Sequence, residues 1–359
     1  FVKGTQNFKD QLTAYFPNEK EAIDSYVALV FKAIKTSQKF YINKALPSII
    51  NFFIGKKMRA PFYEFSDKTT YEVLKSITEN EELIKVLTGQ YGDYGLAPKK
   101  SSFVMHAAVA RHYFEGGSFP VGGSSQIAKT IDTVIEKAGG TILISADVEE
   151  IIISNHTATG VKMKDGKIFS AKNIISGAGI MTTYNRLIPT AIAEKYKLKN
   201  QLQKINRSVS HACLYLGLEG SPEELQLPKT NYWIYPSDLD HDASVDRYLA
   251  NIEEEFPVVY ISFPSAKDPD WNKRYPGKST IDIITLVPYE FFESWDGSKM
   301  MKRGEDYTEL KEKITQRLLE VLYKRIPQAK GKIAHYELST PLTTKHFINY
   351  DKGEIYGLD

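Results

Sequence analysis

Residues 124–145, SSQIAKTIDTVIEKAGGTILIS, decide the fold class. Ile127, Ala128, Ile131, Val134, Ile135 and Ala138 recur at helical spacing and share one face. Gly139-Gly140 then closes the helix as left-handed C-caps do. Beyond the glycines apolar and polar residues alternate. Thr141–Ser145 and Val148–Ser154 read as strands, and Gly160–Lys164 and Lys167–Ala171 flank Asp165-Gly166, a dipeptide suited to a tight hairpin turn. Asn173–Ser176 reads as a buried strand running into Gly177-Ala178-Gly179. A helix, a short β-meander and a strand ending in glycines form the pattern of half a nucleotide-binding domain, which makes the chain α/β with α+β character.

Working outward, residues 1–100 read as mostly helical. Pro17 to Ile23 opens a helix whose apolar stripe is Ile23, Tyr26, Val27, Val30, Phe31 and Ile34. Residues 41–59 are very apolar, are interrupted by Pro47 and end in Lys56, Lys57 and Arg59. Two readings stay open for this segment: a helix lying in a membrane interface, or a core helix whose basic last turn complements its dipole. Loops rich in turn formers follow at residues 91–98 and 115–124. Downstream, His211–Gly217, Val258–Phe263 and Ser279–Val287 read as strands, the last two separated by a polar loop at residues 264–271. Glu305–Arg325 is an amphipathic helix through Tyr307, Leu310, Ile314, Leu318, Val321 and Leu322, and Ile326-Pro327 ends it.

The 359 residues suffice for two or three domains, and a net charge of +2 is too weak a field to predict nucleic-acid binding. Cys213 is the only cysteine, so no intrachain disulfide forms; in its apolar run it reads as a small buried hydrophobe. The histidines show no paired metal spacing, and HExxH and CxxC are absent. No run reaches the roughly 20 apolar residues of a bilayer span. Gly117 with Gly122-Gly123-Ser124 approaches a phosphate-binding loop, but Gly123 stands where its lysine belongs, which rejects ATP hydrolysis. Two readings remain there: close approach to a cofactor edge, or a tight connection into the helix. Gly177-Ala178-Gly179 opens like a dinucleotide fingerprint, but Thr182 fills the third glycine position, and no complete GxGxxG occurs.

The block from Arg111 to Pro189 resembles the flavoprotein family of phytoene desaturases, carotenoid isomerases and retinol saturases. Its carriers are Phe119-Pro120-Val121-Gly122-Gly123, Lys137-Ala138-Gly139-Gly140, Val148-Glu149-Glu150-Ile151 and Ile175-Ser176-Gly177-Ala178-Gly179. Tyr91-Gly92-Asp93-Tyr94-Gly95, Ser102–Ala108, Phe263–Pro269, Tyr275–Thr280 and Lys302–Tyr307 extend the likeness over nearly the whole chain, toward the saturase branch. Val121 departs from the arginine of that branch and is closer to the isomerases.

This resemblance implies an FAD/NAD(P)-binding, glutathione-reductase-like flavoprotein. Residues 119–190 would belong to its FAD domain, residues 1–118 to a helical substrate or membrane-facing part and residues 191–335 to a mixed-sheet substrate domain, with 336–359 returning toward the FAD domain. It implies FAD, with NAD(P)H a possible electron donor, and an apolar polyene as substrate. The Pro120, Val121, Gly122, Gly123 loop would lie by the isoalloxazine, the Val148 backbone by the adenine, and Gly177 and Ala178 by the ADP part. Tyr91 and Tyr94 are candidate proton donors. Family members also carry an N-terminal GxGxxG unit and a C-terminal glycine-rich segment, so the chain is expected to be an interior portion of such a protein. The expected location is cytoplasmic or peripheral to a membrane, with contact through residues 45–59.

Overall fold

The computed structural model describes residues 2–238 and 240–358, apart from the side chain of Gln201. The chain forms two compact units, Phe1–Ser118 with Trp233–Val259, and Phe119–Tyr232 with Tyr260–Asp359.

The first unit is built on α1 (Thr5–Tyr15), α2 (Lys20–Ala45), α3 (Ser48–Ser66), α4 (Thr70–Lys75), α5 (Glu81–Leu87) and α6 (Phe103–Tyr113). Ile23, Tyr26, Val27 and Val30 of α2 enter one core with Phe8 and Leu12 of α1 and with Phe103, Ala107 and Ala110 of α6. This is the stripe read from the sequence, except that Phe31 stays at the surface, stacked on Phe114. α2 stops at Ala45 because Leu46 precedes a proline and is driven to extended backbone. The corner between α2 and α3 is fastened by Arg59, which donates to Asn43 at 2.7 Å and to Asn51 at 2.8 Å.

The core reading of α3 fails. Gly55, Phe62 and Phe65 are its buried residues, whereas Ile49, Phe52 and Phe53 are 77%, 84% and 78% exposed. Among the described residues no helix is long and apolar enough to cross a membrane.

In the second unit, α7 (Ser125–Lys137) ends on Gly139 at φ +77°. The Gly139 N–H reaches the Glu136 carbonyl and the Gly140 N–H the Ile135 carbonyl, both at 2.9 Å, which is a Schellman cap. The meander follows as β1 (Val148–Ser154), β2 (Thr157–Met163) and β3 (Ile168–Ser170), antiparallel in that order. Asp165-Gly166 makes the second turn, as expected. The first is Asn155-His156, both with positive φ, a two-residue hairpin turn that the sequence reading passed over.

Two expected strands do not form. Residues 141–145 and 173–176 join no ladder, and Ile144 and Ile175 are almost fully exposed. α7 likewise buries none of its residues. A strand of this type is ordered by its neighbours, and among the described residues none pairs with either segment.

The larger sheet has the order β5-β6-β7-β4-β8, with β4 His211–Glu219, β5 Tyr232–Ile234, β6 Val259–Ser262, β7 Lys278–Leu286 and β8 Ile333–Ser339. β4 pairs antiparallel with both β7 and β8. The loop read at residues 264–271 is instead two helical turns, Pro264–Lys267 and Trp271–Arg274. Glu305–Arg325 is a helix over the expected range. It lies along β8, where Lys311 pairs with Glu337 at 2.8 Å.

Leu214 is fully buried in β4. Leu214→Ala is expected to cost about 2–5 kcal/mol in denaturant unfolding, whereas Ile144→Ser should change stability by less than about 0.5 kcal/mol.

Candidate functional site

The Phe119–Gly123 segment is a type II turn. The Gly123 N–H closes on the Pro120 carbonyl at 3.0 Å, Val121 occupies the tip, and Gly122 sits at φ +91° where only glycine is unstrained. Gly123 follows at φ +88°, and no atom lies within 4 Å of where its Cβ would stand. Backbone with no side chain and open space before it is what a flat ring needs for close approach, so the residues present fit a flavin edge.

The turn is held from a distance. The Gly122 N–H donates to Asp268 Oδ1 at 3.0 Å, across 146 residues of sequence. Asp268 also accepts the Asp270 N–H at 3.0 Å and pairs with the Arg274 guanidinium. Burial alone would raise the Asp268 carboxyl; the two backbone donors and Arg274 outweigh it and hold the group below the usual range. Sequence reasoning found the glycines but gave Asp268 no role, although Lys267-Asp268-Pro269 stood out in the resemblance.

Val148 opens β1, half-buried and paired with Met163. Beside the start of that strand is a cavity of about 300 Å³, lined by Leu143, Ile144, Asp147, Met163, Lys164 and Phe169 among others. Gly177 and Ala178 lie in the unpaired segment before Ile180, and the space a Cβ of Gly177 would enter is open within 4 Å. β1 packs against Thr183–Leu187, the helical turn following Gly179, which brings Val148's strand and the Gly177 segment into one neighbourhood. Among the described residues no polar contact ties either of them to the Pro120–Gly123 turn.

In the first unit the two tyrosines differ. Tyr91 is fully buried, and its hydroxyl donates to the Pro257 carbonyl at 3.3 Å. Tyr94 is half-buried, and its hydroxyl lies 3.0 Å from His106 Nδ1, while His106 Nε2 lies 2.9 Å from the Tyr26 hydroxyl. Burial pulls the His106 imidazole down to about 4, so it is neutral at pH 7. A neutral ring donates through one nitrogen and accepts through the other, so one phenol gives it a proton bond and the other receives one. Burial pushes the Tyr91 and Tyr94 phenols up. Both therefore remain protonated at neutral pH. Tyr26 and His106 were missed because periodicity marks them only as core.

Cys213 is buried, and burial pushes its thiol up to about 12, which makes it the inert hydrophobe expected. Among the described residues no group of His, Cys, Asp or Glu is arranged to hold a metal ion.

In fold the chain is similar to an oxidoreductase from Methanosarcina mazei, whose crystal structure superposes with TM-score 0.52 over 83% of this chain and 62% of that one, at 18% identity. In sequence the chain is similar to all-trans-retinol 13,14-reductases. It is 34% identical to that of Danio rerio over 99% of its own length, and it spans 60% of the length of that protein. A chloroplastic prolycopene isomerase of Arabidopsis thaliana is more distant, 25% identical over 97% of this chain and 56% of the plant protein. No family model matches.

His106 and His241 both have imidazoles lowered from 6.5 to about 4 by burial, so the native state binds fewer protons than the unfolded chain in that window. The contribution of the two neutral rings is fully present above pH 6.5 and is lost as pH drops toward 4, on the order of 3 kcal/mol for His106. Denaturant midpoints between pH 7 and pH 4, compared between the wild type and His106→Gln, measure this, and the same pH dependence in both contradicts neutral burial of His106. Gly122→Ala is expected to cost about 1 kcal/mol or more through its positive φ, read as a lower melting temperature.

Proposed function

We propose that this chain forms part of an FAD-dependent oxidoreductase acting on carbon–carbon double bonds of a retinol- or carotenoid-like polyene, by saturation. The observation that carries the reading is the 34% identity, across 99% of the chain, to an all-trans-retinol 13,14-reductase. The open side of Gly123 in the glycine turn supports it.

A reduced flavin would supply a hydride to one alkene carbon; NAD(P)H is our candidate for the electron donor behind it. The chain's own residues do the rest. Pro120, Val121, Gly122 and Gly123 would hold the ring edge, Val148 the adenine through its backbone, and Gly177 and Ala178 the ADP part. Of the two tyrosines, Tyr94 is the better proton donor. Tyr94 is half-buried and its hydroxyl is backed by a neutral imidazole, whereas Tyr91 is fully buried with its hydroxyl on a carbonyl. Isomerisation is the second reading, favoured by the likeness to prolycopene isomerase and by the uncharged tip residue Val121.

Peripheral membrane contact through residues 45–59 belongs to the same proposal. Ile49, Phe52 and Phe53 project from α3, and exposed Lys44, Lys56 and Lys57 flank them. Apolar side chains ringed by ammonium groups suit the boundary of an anionic leaflet, where a polyene is stored.

The full-length gene product should be yellow, and anaerobic incubation of its reduced form with all-trans-retinol should give a product heavier by two hydrogens. An unchanged mass with a shifted retention time would support isomerisation instead, and a colourless protein would remove the flavin reading. Tyr94→Phe should lower turnover at least tenfold with little change in KM, and Tyr91→Phe far less. Phe52→Asp with Phe53→Asp should abolish sedimentation with phosphatidylserine vesicles; unaltered sedimentation would sink the membrane contact.

A further inference from the structure

The run Ser265-Ala266-Lys267-Asp268-Pro269 takes no part in the flavin, substrate and membrane roles proposed above, yet its two charged side chains both approach the Phe119–Gly123 turn. Asp268 fixes the Gly122 amide, as described. One residue earlier, Lys267 comes near Phe119, which leads into the same turn. Its ammonium donates to Ser262 Oγ at 2.8 Å and to Asn231 Oδ1, and it stands 5.8 Å from the centroid of the Phe119 ring. Those three partners are neutral. Asp282, on β7, acts on Lys267 through its field, and no ion pair joins the two among the described residues. Lys267 is only partly exposed. Burial lowers the ammonium and Asp282 raises it, with burial the stronger, and burial likewise raises the Asp282 carboxyl. A half-buried ammonium tied to neutral groups is a costly feature that a merely structural lysine would avoid by reaching solvent. Val121 gives the tip of the turn no charge of its own.

We propose that Lys267 is the cation of the Phe119–Gly123 site, presented to an electron-rich planar ligand lying against the turn, and that Asp268 is the positioning residue that fixes the turn beside it. The proposal rests on the flavin reading and adds the electrostatics of that site. A reduced flavin carries negative charge, and a cation beside it stabilises that form over the oxidised one. Lys267 therefore raises the reduction potential of the bound flavin.

The test uses the full-length gene product with Lys267→Met and Lys267→Arg, its flavin potential measured by spectroelectrochemistry. The expected result is a lower potential in Lys267→Met and a nearly unchanged one in Lys267→Arg. Flavin lost from Lys267→Met but kept by Lys267→Arg also supports the cation; flavin lost from both assigns Lys267 to packing and overturns it. An unchanged potential in a flavin-loaded Lys267→Met protein overturns the proposal while the flavin reading stands, whereas a wild-type protein without flavin overturns the reading beneath it. Asp268 is tested without reference to activity or flavin, by amide hydrogen exchange over residues 119–124, with the Asp165-Gly166 turn as control. Asp268→Ala should speed exchange several-fold there. Asp268→Asn, which keeps the side-chain shape and one carbonyl oxygen, should give an intermediate rise. Wild-type exchange rates in both variants overturn the positioning role.

Discussion

β4 is hydrogen-bonded along both edges, to β7 and to β8, and its register fixes the second unit's larger sheet. Ala212, Leu214, Leu216 and Leu218 are all buried, so a slip of one residue would turn all of them to the opposite face. With the register so pinned, Tyr215 stands opposite Asp282 on one side and Glu337 on the other. The start of β7 is pinned as well, and the helical turn before it is tied to that start. Ser265 Oγ accepts the Thr280 N–H at 2.9 Å and donates to the Thr280 carbonyl at 3.2 Å. Asp268, at the end of that turn, is thereby set where its carboxylate meets Gly122. The glycine turn is irregular backbone, but it is positioned by the most regular part of the unit.

A carboxylate as deeply buried as Asp268 is tolerated only when its lone pairs are filled and its charge is met. The Gly122 and Asp270 amides do the first and Arg274 the second. The same arrangement constrains the turn in return, because pulling Gly122 away would remove one of the two amide donors on Oδ1 of a buried anion. Positive φ at Gly122 and Gly123 fits this: the chain must bend sharply enough to bring an amide to Asp268 while leaving the outer face of Gly123 clear. Tyr94 in the first unit is held by comparable logic, since the neutral His106 ring offers one donor and one acceptor and two phenols take both.

Features that the chain settles locally were legible in the sequence. The α7 cap needs only Gly139-Gly140 and the preceding carbonyls, the Asp165-Gly166 hairpin needs only its own turn, and Glu305–Arg325 carries its stripe and its proline stop within itself. Residues 141–145 and 173–176 have strand-like composition but take their order from neighbours, and composition does not report whether a neighbour is present. β8 was missed for the converse reason: its exposed and half-buried residues lack clean alternation, and pairing with β4 makes the strand. In the site, Gly122 and Gly123 announced themselves as glycines. Asp268, far away in sequence, looked like any loop carboxylate, because periodicity carries no information about which loop meets which. The open side of Gly177 could be suspected, but not its neighbourhood with β1.

Both units expose apolar surface, and its chemistry differs between them. On α3 the exposed groups are Ile49, Phe52 and Phe53, with lysines following directly and a corner locked by Arg59 against Asn43 and Asn51. Aromatic rings and snorkelling cations are matched to a boundary between water and hydrocarbon, and a locked corner presents them without loss of conformational freedom. On α7 and its surroundings the exposed groups include Ile127, Ile131, Val134, Ile144 and Ile175, all β-branched aliphatics, while Lys129, Asp132, Glu136 and Lys137 mix both signs of charge. Branched aliphatics gain most from close packing against another ordered surface, as a helix gains on a sheet, and little from fluid chains. Equal exposure therefore does not mean equal use. The two surfaces differ in composition: aromatic rings beside lysines on α3, branched aliphatics beside charges of both signs on α7.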